Sequence, residues 1–62
     1  MNTVKEAPSI AEILVDVAFP AEKWQITTRA DFYGADVDTR RRLYRLPART
    51  FESADDVRAE LG

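Results

Sequence analysis

The sequence predicts an all-α domain, a small irregular bundle of four short helices at about residues 10–18, 21–33, 37–46 and 54–61. Three observations predict it. Ser9 with Glu12, and Ser53 with Asp56, place a hydroxyl three residues ahead of a carboxylate at the head of an apolar run, the pattern of a capped helix start. Gly34 and Pro47 stand where two further apolar patterns stop, as helix terminators do. A hydrophobic fraction of 45% with 32% charged residues is that of a folded chain rather than a disordered one.

Taken in order, residues 1–8 show no periodicity and end in Ala7-Pro8, which reads as a disordered N-terminal arm ahead of a single domain over 9–62. The first helix places Ile10, Ile13, Leu14 and Val17 on one face, widened by Ala11, Val15 and Ala18. A strand competes here, because Ile13, Val15, Val17 and Phe19 also alternate and favour extended backbone. Phe19-Pro20 turns the chain, and Pro20 suits the start of a second helix, where its missing amide proton has no partner. Ile26, Ala30 and Tyr33 then share a core face, while Trp24, Thr28 and Phe32, spaced by four, line another.

Asp36 or Asp38 caps the third helix, which Pro47 ends. Val37, Leu43, Tyr44 and Leu46 are its expected core residues. Residues 47–52 form a link with Phe51 as an anchor, and Ala54, Val57 and Leu61 turn the last helix inward.

Charge is uneven. Residues 39–50 carry five arginines and no acid, whereas both flanks are acidic and the chain as a whole has net charge −2. Arg41, Arg42 and Arg45 are expected on the exposed side of the third helix, with Arg49 beyond Pro47 extending them. Two readings stand: a docking surface for phosphate or an acidic partner, or a solvated face pairing with Asp55, Asp56 or Glu60. Arg40 falls within the apolar arc, so it must snorkel or pair, either with an acid of another helix, Asp16 or Glu12 being the candidates, or with a partner chain. The Trp24–Thr28–Phe32 face has two readings as well, an anchor for a protein partner or a second copy, or a side buried between neighbouring helices.

Composition excludes much. Cysteine and histidine are absent, which removes disulfides, thiolate sites, the commonest zinc ligand and the usual general base near neutral pH. Asp36/Asp38 and Asp55/Asp56 are paired carboxylates at positions that capping explains. No phosphate-cradling glycine loop or nucleophile–base pair occurs, so neither catalysis nor a cofactor is expected. No signal-like or membrane-length apolar run occurs, and the expected location is the cytoplasm.

Phe19-Pro20-Ala21, Ala30, Gly34-Ala35, Leu43, Leu46-Pro47, Phe51, Ser53 and Asp56-Val57 together resemble a small bacterial family, common in actinobacteria, known as domain of unknown function 2795. The resemblance covers roughly residues 10–61 and implies a small helical domain of the bacterial cytoplasm. It carries no catalytic residues. Thr39 and Arg40 stand where relatives are often aliphatic, and Trp24 where many are polar. The expected function is a noncatalytic protein-interaction module, a small subunit or regulator of a larger assembly. The alternative is a nucleic-acid-associated protein using the arginines on phosphates, which the acidic sequence pI of 4.9 opposes.

Overall fold

A computed structural model describes residues 8–62, so the arm expected over 1–8 lies, but for Pro8, outside the described residues. The chain runs α1 (Ile10–Val15), β1 (Ala21–Glu22), α2 (Lys23–Phe32), α3 (Val37–Tyr44), β2 (Thr50–Phe51) and α4 (Ala54–Leu61). The all-α class holds, with one small addition. The two-residue strands pair antiparallel, Ala21 opposite Phe51 and Glu22 opposite Thr50.

The N-terminal signals act as their chemistry requires. Ser9 Oγ accepts from the Glu12 amide at 3.2 Å, and the Glu12 carboxylate accepts from the Ser9 amide at 2.8 Å, so each satisfies an orphan donor. Residues 10–15 are therefore helix and not strand. The helix ends earlier than the periodicity implies. Asp16 and Val17 bond back to Ile13 and Leu14, a tightened last turn. Beyond it, Ala18 to Pro20 must lead into β1, and a residue before proline resists helical backbone. Val15 is consequently 80% exposed, while Val17 reaches the core from outside the helix.

Pro20 does not open α2. The Phe19–Pro20 peptide is cis, and the next two residues are extended. Glu22 is the N-cap of α2, its amide donating to the Gln25 side chain at 2.7 Å. At the other end Gly34 adopts φ +73°, with Ala35 N–H bonding to Ala30 O and Gly34 N–H to Asp31 O. This is a Schellman closure, and a residue lacking Cβ takes that left-handed position without strain. Asp36, rather than Asp38, caps α3 by accepting from the Thr39 amide at 2.8 Å.

The core joins all four helices. Ile13, Leu14, Ile26, Leu43, Phe51 and Val57 are its large, fully enclosed side chains, and Ala30 of α2 is fully buried among them. Each such large side chain contributes about 1.5–3 kcal/mol of burial. Three residues expected in this core are elsewhere. Tyr33 is at the surface, donating its hydroxyl to Asp16, and Val37 and Tyr44 are exposed, because only Leu43 and Leu46 of the third segment point inward.

Candidate functional site

An uncovered apolar surface lies on α2. Trp24 is 62% and Phe32 75% exposed, and both line, with Gln25, Thr28 and Arg29, an open cleft of about 330 Å3. The helical repeat that turns Ile26 and Ala30 inward turns 24, 28 and 32 outward. These three residues therefore share one face, which no neighbouring helix covers. The indole is also held. Its Nε1–H donates to the Glu22 carboxylate at 3.1 Å, which ties the ring to the N-cap of its own helix.

A second groove, of about 440 Å3, also borders Trp24 and is lined by Glu22, Lys23, Thr27, Tyr44, Ala48, Arg49 and Thr50. Tyr44 continues it toward Val37, Arg40 and Arg41. Trp24 thus borders both depressions. Sequence periodicity missed Tyr44, Val37 and Asp31 as surface residues. Asp31 is the link that organises them, since its carboxylate accepts from the Tyr44 hydroxyl at 3.1 Å and lies 3.8 Å from the Arg40 guanidinium. The adjacent carboxylate holds the Tyr44 phenol above its ordinary value, chiefly through that hydrogen bond. Nothing local in the sequence marks Asp31, because its partners arrive from the following helix.

The arginines do not gather into one patch. Arg40 pairs with Asp31, not with Asp16 or Glu12 as expected. Asp16 is engaged by Tyr33 and Glu12 by the Ser9 amide. Arg40 also remains about half exposed, since Val37 and Tyr44 leave no closed apolar arc around it. Arg49 is occupied internally. It contacts both oxygens of Asp56 at 3.0 and 3.2 Å, Glu60 at 3.2 Å and the Thr50 carbonyl at 2.9 Å. Arg41, Arg42 and Arg45 have no carboxylate within ion-pairing distance among the described residues. They diverge, however: Arg41 flanks Tyr44, whereas Arg42 faces a depression between the start of α1 and the end of α4.

Neither paired-carboxylate motif assembles a site. Asp36 caps α3, Asp55 pairs with Arg58 at 3.1 Å and Asp56 is held by Arg49. No group of three metal-ligating side chains occurs among the described residues, and none of their helices is long and apolar enough to cross a membrane. The surface presents aromatic area and guanidinium charge. Compared with known proteins, the chain matches over residues 6–58 the model of a family described as "Protein of unknown function (DUF2795)". No curated protein and no solved structure matches it.

Proposed function

The chain belongs to the DUF2795 family, and from its surface we propose that it is a noncatalytic protein-interaction module, a small subunit or regulator of a larger assembly in the bacterial cytoplasm. One observation carries the reading: Trp24 and Phe32 stand exposed on one face of α2, with a cleft between them. Aromatic side chains are the usual energetic anchors of protein interfaces, and contiguous exposed apolar area marks such sites. Holding the indole in place by the Glu22 hydrogen bond lowers the ordering entropy that docking would cost. Arg41, Arg42 and Arg45, which have no carboxylate partner among the described residues, add steering rather than the main affinity.

The test is affinity purification from the native cell with three baits: the wild-type chain, Trp24→Ser, and Arg41→Glu with Arg45→Glu. Trp24→Ser is expected to lose the specific partners at both low and high salt, and the double arginine variant to recover them less efficiently. Recovery of the same set by Trp24→Ser as by the wild type removes the reading.

A second reading, contact with nucleic-acid phosphates, is favoured by the lack of carboxylate partners for Arg41, Arg42 and Arg45 among the described residues. It predicts that a labelled oligonucleotide binds with affinity falling steeply with salt, and that the double arginine variant does not bind. A net charge of −2 weighs against it.

A further inference from the structure

The outward face of α2 has a property that a generic anchor would not need. Along the ridge Trp24–Thr28–Phe32 the order is large, small, large, with Thr28 midway between the rings. A two-fold interface places residue i of one copy on residue j of the other and j on i, so a helix that crosses its own copy must be complementary to itself about one position. We propose that a second copy of this chain covers α2, crossing it antiparallel at Thr28 so that Trp24 of each copy packs against Phe32 of the other. The proposal rests on the interaction reading above and names its partner.

Three observations support a second copy. Ridges formed by every fourth residue interlock when two helices cross at about −50°, and a small residue at the crossing point lets the backbones approach. The depression beside Thr28, about 330 Å3, lies where the ring from the other copy would enter.

Area is the third argument. Whole aromatic side chains carry about 150–250 Å2 each, and Trp24 and Phe32 keep 62% and 75% of theirs exposed. Those exposures leave about 200–340 Å2 of aromatic surface on each copy, and with Thr28, Gln25 and Arg29 fully covered as well the pair approaches the roughly 1,000 Å2 at which specific interfaces begin. That area predicts a reversible, weak dimer. Closing it would also enlarge the apolar area buried by a domain whose own core is small.

The chain has no cysteine, so Thr28→Cys creates a single thiol located at the proposed axis. Two disulfide-forming residues need Cα atoms within about 7 Å, so mild oxidation should cross-link Thr28→Cys about ten-fold or more faster than Ala59→Cys, an exposed control on α4. Sedimentation velocity over a wide dilution series should show wild-type chain moving from monomer to dimer. Trp24→Ser and Phe32→Ser, with unchanged circular dichroism, should stay monomeric at concentrations where the wild type is dimeric. A wild-type chain that is monomeric throughout, equal cross-linking of the two cysteine variants, or a dimer that survives Trp24→Ser overturns the proposal. The broader reading fails separately: a monomer that still captures partners through Trp24 ends the dimer alone, and one whose Trp24→Ser variant captures the same partners ends both.

Discussion

The guanidinium of Arg49 lies 4.1 Å from the centre of the Phe51 ring, covering the aromatic face while its nitrogens reach two carboxylates of α4. Phe51 is fully buried, so the arginine is the outer lid of the core's largest side chain. Its fork geometry matters. A planar, delocalised cation can stack on a ring and chelate Asp56 simultaneously, whereas an ammonium cannot do both. Arg49→Ala is expected to lower the thermal midpoint, and Arg49→Lys to recover less than half of the loss. Differential scanning calorimetry of the three proteins checks this, and full rescue by lysine would show that charge alone suffices.

The same network sets the response to acid. Donation from Arg49, then from the Glu52 amide, holds Asp56 below its ordinary value of 3.8, and the Thr39 amide, helped by its hydroxyl and by Arg40, does so for Asp36. A carboxyl whose folded pKa is depressed contributes stability that is complete above its unfolded pKa and disappears as pH falls through the folded one. Thermal midpoints should therefore decline as pH drops below about 4. Asp56→Asn should lower the neutral-pH midpoint and flatten that decline. Parallel melts of both proteins across this range test it, and equal acid slopes would sink the assignment.

Arg40 is expected to be dispensable for folding. Its pair with Asp31 is long, 3.8 Å, and both side chains are nearly half exposed, a setting in which ion pairs contribute less than about 1 kcal/mol. Arg40→Leu should leave urea-unfolding stability within that margin. A larger loss would mean that the pair is closed more tightly in solution.

Gly34 is not dispensable. Its φ of +73° is in the left-handed region, and nothing lies within 4 Å of where a Cβ would be, so Gly34→Ala costs backbone strain alone. That strain is about 1–2 kcal/mol, and each 1 kcal/mol lowers the midpoint of so small a domain by about 4–8 °C. Gly34→Asn should lose less, since asparagine tolerates this conformation.

Local chemistry was readable in the sequence wherever cause and effect lie within a few residues. The Ser9–Glu12 box, the Ser53 cap, the Gly34 closure and the Phe51 anchor are all of this kind, while the cap of α3 was narrowed only to Asp36 or Asp38. What could not be read depends on chain segments meeting. Ala21–Glu22 became a strand because Thr50–Phe51 lies beside it, and a pairing of two residues leaves no periodic trace. Tyr33, Val37 and Tyr44 kept helical phase but fell on its outer edge, where a tyrosine hydroxyl can still find Asp16 or Asp31. The site divides likewise. The common face of Trp24, Thr28 and Phe32 followed from spacing, while Asp31's hold on Arg40 and Tyr44, and the diversion of Arg49 into α4, required the packed helices.

Trp24 is the chain's single tryptophan, and it stands outside the core. Its emission is therefore a poor gauge of whether the domain is folded, since the indole meets water in both states. The same placement makes it a selective optical probe of anything that settles on α2. A blue shift that appears with rising concentration or added partner, while the far-ultraviolet spectrum stays constant, would report occupancy of that face without any label.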